Sequence, residues 1–183
     1  MRKVVPGPCP VCNTEIEYIY QTEDIPYFFG LLLISTRCPS CGFRFVDTQL
    51  LEHAGPSRWE FSVVSEQDLS ARVVRSMNGT ITIPELGVEI APGPACEGFV
   101  SNVEGVLDRV ERVVESVILW AENEEERVRA RALREKIACA RDGRFPVTLI
   151  IEDPTGNSAI LDDRALVSPL AVEPDGEEEG RET

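Results

Sequence analysis

Hydrophobic positions along this chain change their spacing twice. Over residues 15–20 (EIEYIY) polar and apolar side chains alternate, the period of a strand with one buried face. Residues 28–36 and 42–47 (GFRFVD) are two further strand candidates. Short strands continue at 59–64 (WEFSVV), 68–76 (DLSARVVRS) and 80–83, the last entered through Asn78-Gly79, a pair that favours a hairpin turn. Pro84, Gly87 and residues 91–94 (APGP) punctuate the next stretch. The spacing then turns helical. Val103, Val106, Leu107, Val110, Val113, Val114, Val117 and Ile118 mark one buried face, and Ser101-Asn102-Val103-Glu104 offers a capping box at its start. The pattern breaks near Asn123. Glu124, Glu125 and Glu126 suit the N-terminus of a second helix and Arg141 with Gly143 its end, with Val128, Ala130, Leu133, Ile137 and Ala140 as its stripe. Strands return at 146–152 (PVTLIIE) and 158–161, separated by Asp153-Pro154-Thr155-Gly156, which suits a type I turn. The pattern predicts a mainly β chain with an antiparallel helical hairpin inserted at 101–142.

Two Cys-Pro-x-Cys pairs change that picture most. Cys9 and Cys12, then Cys38 and Cys41, read C-x2-C-x25-C-x2-C. Zinc held by four thiolates needs sulfurs at tetrahedral corners, and a two-residue spacer lets one tight turn present two of them. Pro10 and Pro39 fix φ inside each pair, and Asn13 and Gly42 follow where a positive φ is useful. The rival readings are two disulfides or two redox motifs; a redox pair would be single and would sit beside a βαβ pattern, which the sequence lacks. We expect one structural Zn²⁺ on Cys9, Cys12, Cys38 and Cys41, clamping a zinc ribbon over residues 1–52. So small a ribbon has little core, and the metal should supply most of its folding free energy. The tract at 27–34 (YFFGLLLI) is too apolar for that ribbon to hide. Either it packs on the following domain, placed at 53–170, or it is a partner-binding patch.

Charge narrows the partners. The net charge is −14; the six acids and one arginine of residues 173–183, which read as part of a disordered acidic tail at 171–183, hold −5 of it and leave −9. The ribbon itself is acidic, so it would repel the phosphates that nucleic-acid binding normally neutralises. Nucleic acid is disfavoured, and a protein partner fits better. The longest apolar run has eight residues, too short to cross a bilayer, and the first residues lack a signal peptide's apolar stretch. A reducing cytoplasmic location is therefore expected, with Cys96 and Cys139 as buried free thiols.

Little else suggests chemistry. The lone histidine, His53, reads as a surface loop residue rather than a ligand or base, and one histidine is too few for most catalytic metal sites. Neither a phosphate-binding Gly-Lys loop nor a nucleophile elbow occurs. Glu152, Asp153, Asp162 and Asp163 form either a carboxylate pair or, on turn chemistry, solvated turn residues. No enzyme is expected.

At the level of ordered motifs the chain resembles the ZPR-type zinc-finger proteins. Four pieces carry the likeness: the cysteine finger with Ile25-Pro26-Tyr27-Phe28 and a closing Cys41-Gly42-Phe43-Arg44; residues 68–76 running into 83–87 (IPELG) and 92–94 (PGP); residues 101–105 (SNVEG); and residues 152–158 (EDPTGNS). The resemblance implies a zinc ribbon followed by a double-stranded β-helix, or jelly-roll-like, domain carrying the helical hairpin. Eukaryotic members carry this module in tandem, and this chain has room for one, the form associated with archaea. The resemblance further implies a non-enzymatic adaptor or folding factor for the translation elongation GTPase, elongation factor one-alpha; some relatives also bind receptor tyrosine kinases. Candidate partner-binding residues are Tyr27, Phe28, Phe29, Leu31, Arg72, Arg75, Glu85, Asp153 and Asn157. The alternative is a nucleic-acid-binding ribbon of transcription or translation, and a third reading is an enzyme using the β domain's interior. The sequence leaves the oligomeric state open.

Overall fold

The computed structural model describes residues 1–24, 30–51, 55–93 and 96–171. Tyr27, Phe28, Phe29, His53, Pro94 and the acidic stretch from residue 172 lie outside them.

The N-terminal sheet is an antiparallel meander of β1 (Arg2–Pro8), β2 (Glu15–Asp24), β3 (Gly30–Arg37) and β4 (Arg44–Leu50), in that spatial order. Three strands were expected; β1 is the addition. Its residues (RKVVPGP) alternate poorly and include two prolines, which an edge strand tolerates because one side of its backbone needs no partner. The apolar tract is resolved into two faces by the pleat. Leu31 and Leu33 point to the following domain, and Leu31 joins that domain's core. The packing expectation therefore holds for this half of the tract.

The second unit has two sheets. One orders β12 (Leu166–Pro169), β5 (Ser57–Val63), β10 (Val147–Asp153), β7 (Thr80–Ile83) and β8 (Val88–Ile90); the other orders β11 (Ala159–Leu161), β6 (Arg72–Arg75) and β9 (Phe99–Asn102). Along β5, Trp59, Phe61 and Val63 turn inward, and on β10 so do Val147, Leu149 and Ile151. Val73 and Ile160 close the same core from the smaller sheet. Full burial of each such side chain stabilises by about 1.5–3 kcal/mol, so this core is expected to hold without metal. The architecture is a jelly roll with α1 (Val103–Trp120) and α2 (Glu124–Arg141) inserted between β9 and β10.

Several local expectations need correction. Asn78-Gly79 does not make a hairpin: β6 and β7 lie in different sheets. A turn does occur, with the Gly79 amide donating to the Ser76 carbonyl at 3.3 Å, and it carries the chain from one sheet to the other. Residues 68–76 are not one strand, because a 3-10 turn (Glu66–Ser70) precedes β6. The N-cap of α1 is Asn102, not Ser101; its side chain accepts the Gly105 amide at 2.9 Å. Val113 and Val117, assigned to the buried face of α1, are 63% and 46% exposed, and Val128 of α2 is also exposed. Val113 and Val117 line an open groove beside β8 instead of the core. Cys96 and Cys139 are free but only half-buried. The strands β8, β9 and β12, of three or four residues each, are too short to show a period.

Candidate metal centre and the joint beside it

Each cysteine pair sits on a tight turn, and the two turns are built alike. In the first, the Cys9 amide donates to the Thr14 carbonyl at 2.8 Å and the Asn13 amide returns to the Cys9 carbonyl at 2.9 Å. In the second, Cys38 donates to Phe43 at 2.8 Å and Gly42 to Cys38 at 3.1 Å. Asn13 and Gly42 take φ of 60° and 78°, the left-handed conformation that lets each turn close. Both turns aim their cysteines at one point between them.

All four Sγ atoms lie within 4.8 Å of one another, with Cys9 to Cys41 at 3.7 Å and Cys12 to Cys38 at 3.5 Å. Zn–S bonds of about 2.3 Å at tetrahedral angles require sulfurs about 3.8 Å apart. The cluster fits one structural Zn²⁺. Its electrostatics agree. The Thr14 hydroxyl, 3.3 Å from Cys12 Sγ, and the Thr14 amide lower the Cys12 thiol to about 6. At Cys41 the Phe43 amide favours the thiolate, yet lost solvation and the neighbouring sulfurs push it up to about 12. Four thiolates so close repel one another, and a divalent cation removes that conflict by displacing the protons. Among the described residues, Ile16, with half-buried Tyr18 and Phe43, packs on Cys9 and Cys38.

The ribbon is joined to the jelly roll along β4. The Gly98 amide donates to the Val46 carbonyl at 2.7 Å, and the Met77 amide to Asp47 Oδ1 at 3.0 Å. A Cβ at Gly98 would stand 3.0 Å from Asp47 Cα and 3.1 Å from Thr48 N, so the close approach requires glycine. Beneath this joint lies Asp153, fully buried. Its Oδ2 accepts the Ser76 hydroxyl at 2.6 Å and the Ser158 hydroxyl at 2.5 Å; its Oδ1 accepts the Thr155 amide at 2.7 Å and hydroxyl at 2.6 Å. Burial alone would raise this carboxyl, but the Ser158, Ser76 and Thr155 donors outweigh it and hold it below the usual carboxylate range. The expectation of a solvated turn residue fails for Asp153: it organises the turn from within.

The other candidate partner residues separate by burial. Leu31 and Arg75 have almost no exposed surface; they and Asp153 support structure rather than face a partner. Arg72 is exposed and lines a cleft of about 530 Å³ between ribbon and jelly roll, with Leu31, Leu33 and Asn102. Glu85 is exposed and accepts the Thr148 amide and hydroxyl at 2.9 and 2.8 Å. The half-buried Asn157 donates to Thr155 Oγ1 at 3.1 Å. Sequence reasoning missed Asp47 and Gly98, because nothing local marks a residue whose partner lies in another sheet. It also missed Asp68, whose buried carboxylate receives Arg164 at 2.7 Å.

A four-thiolate ribbon docked on a jelly roll with an inserted helical hairpin defines a zinc-binding module of the ZPR type. Comparison with known proteins agrees. Residues 3–50 match the ZPR1 zinc-finger domain and residues 67–169 the ZPR1 jelly-roll domain. The chain belongs to the ZPR1 family. It is 47% identical over 155 residues to a ZPR1-like protein of Methanocaldococcus jannaschii, covering 84% of this chain and 78% of that one. A ZPR1-like protein of Pyrococcus horikoshii is 39% identical over 175 residues, covering 91% and 77%. The zinc finger chaperone zpr1 of Schizosaccharomyces pombe is 34% identical over 143 residues, 74% of this chain but 30% of that longer protein.

Proposed function

We propose that this zinc-binding ZPR1-family protein is a folding factor or adaptor for the translation elongation GTPase, elongation factor one-alpha. The observation that carries the reading is likeness, over 74% of this chain, to a relative named a zinc finger chaperone. A rigid zinc-clamped sheet is consistent with that role. Its face opposite the joint carries Val5, Tyr20 and Leu32 around a hollow of about 300 Å³, half-exposed and without strand cover among the described residues. The client is read as meeting this face, the tract at Tyr27, Phe28 and Phe29, the exposed Arg72 and Glu85, and the half-buried Asn157. The net charge of −14 favours a protein client over nucleic acid. We place the protein in the cytoplasm, where a four-thiolate site stays reduced; among the described residues no helix is long and apolar enough to cross a membrane.

The test is affinity capture from native lysate with mass spectrometry, using the zinc-loaded chain and its Cys38→Ser variant. The elongation GTPase should be enriched by the first and lost from the second. Repeated capture without it overturns the reading.

A further inference from the structure

One groove of the jelly roll has no part in the zinc site and meets the joint only at Glu97, whose carboxylate lies 3.7 Å from Arg44 of the ribbon. It encloses about 760 Å³ between the strand β8 and the outer half of α1. Three features describe it. The first is a sheet edge: among the described residues β8 pairs with β7 alone, leaving the outward N–H and C=O groups of its other side unpaired. The second is an apolar wall, in which Val113 and Val117 are the exposed valines that the hairpin pattern assigned to a core, standing opposite Val88 and Ile90. The third is positive charge. The Arg109 guanidinium lies 4.2 Å from the Phe99 ring centroid and Arg75 lies 5.7 Å from it. Arg109 is exposed, with no ion pair among the described residues. Arg75 is buried to 2% exposure; its Nη1 donates to Cys96 Sγ at 2.9 Å, while its Nη2 has no hydrogen-bond partner. A protein of charge −14 thus keeps two cations around one aromatic ring in this groove; of the two acids that also line it, Glu97 is paired with Arg44 at 3.7 Å and Glu89 lies on β8.

We propose that this groove docks an extended segment of a partner polypeptide, which adds a strand to the open edge of β8 and sets one carboxylate against Arg109. Strand addition supplies backbone hydrogen bonds, and alternate apolar side chains meet the valine wall. Arg109 contributes a charge-assisted bond that selects Asp or Glu, with Arg75 adding positive potential beneath the ring. Glu89, exposed in the middle of β8, disfavours a second acid beside it, so the segment carries one carboxylate among apolar neighbours. Two other occupants fit less well. Residues 173–183 (EPDGEEEGRET) hold no apolar side chain but Pro174 for the wall, and a second copy of the chain would bring −14 against −14. The site goes beyond the elongation-factor reading and stands whether or not that GTPase is the client.

The test starts from a random heptapeptide phage library panned on the full-length zinc-loaded chain. The enriched peptide is then labelled with fluorescein and measured by polarisation. The expected consensus is a single acid flanked by apolar residues. Arg109→Glu and Val113→Asp, both at exposed helix positions, should each weaken binding about tenfold or more. Replacing the peptide's acid by lysine should restore binding to Arg109→Glu, and N-methylation of alternate amides should abolish it. A consensus without an acid, or binding by either variant as tight as that of the unaltered chain, overturns the proposal. So does a gain in affinity on deleting residues 172–183, or a dimer that Val113→Asp dissolves, since each names a different occupant.

Discussion

Replacing Cys38 by serine should separate the two halves of this molecule. Cys38 is fully buried between the turns, 3.5 Å from Cys12 Sγ, and its amide ties the second turn to Phe43. Structural zinc in small domains contributes about 10–16 kcal/mol, so one of four ligands accounts for about 3 kcal/mol if they share equally. Near the metal the ribbon's other resource is the small cluster of Ile16, Tyr18 and Phe43, at about 1.5–3 kcal/mol per fully buried side chain and less for the two that are half-buried, while Leu31 anchors β3 in the jelly-roll core. Amide exchange read by mass spectrometry should therefore show protection in β1 and β2 falling by about a hundredfold in the variant. Chelation of the metal should bring those strands close to unfolded rates. Amides of β5 and β10 should keep their protection, because Phe61 and Ile151 pack far from the sulfurs in a core of their own. Protected β1 and β2 amides in the chelated chain would refute the assignment of the metal as the ribbon's main support.

The remaining predictions address the jelly roll. At Asp68 burial raises the carboxyl, but the Val64 amide, Arg164 and the Ser65 groups hold it at about 2, and Asp153 is likewise lowered. Both are depressed below the unfolded value of about 4, so their stabilisation is present above pH ~4 and lost as pH falls through the folded value, about 2 for Asp68; thermal melts should decline through that window, and Asp68→Asn should flatten the decline. Gly156 has φ of 70° and a Cβ there would stand 2.0 Å from the Gly55 carbonyl oxygen, so Gly156→Ala should cost about 3 kcal/mol or more, read as a lower denaturation midpoint. Asn102→Ala should cost about 1 kcal/mol through the lost cap, while Ser101→Ala should stay within about 0.5 kcal/mol; equal effects would return the cap to Ser101.

How far the sequence discloses this molecule depends on the range of the interaction involved. The zinc ligands were legible because spacing and turn chemistry are local: Cys9, Pro10, Cys12 and Asn13 specify one turn almost alone. The helical hairpin was legible because its period runs over eighteen residues in each helix. Asn78-Gly79 misled because hairpin propensity is judged from two residues, whereas the jelly roll sends the strands on either side into different sheets. Val113, Val117 and Val128 misled because a helical period shows which side is apolar but not where the covering sheet ends. Asp153 looked like a turn residue and is one; what the sequence could not show is that Ser76, 77 positions earlier, folds over it.

That last contact links the two units in one direction. Ser76 starts the turn that carries the chain between sheets, and its hydroxyl is shared between Asp153 and the Asn78 amide, at 2.6 and 3.1 Å. The next residue, Met77, presents its amide to Asp47 of the ribbon. A turn held from below by Asp153 thus carries the contact that the ribbon docks on. Loss of the carboxylate should loosen both the turn and the joint, since burial leaves the Ser76 and Ser158 hydroxyls no water to replace it. Loss of zinc acts on the two cysteine turns and leaves every partner of Asp153, all in the jelly roll, in place. The jelly roll therefore positions the ribbon, while the metal shapes the ribbon without shaping the jelly roll.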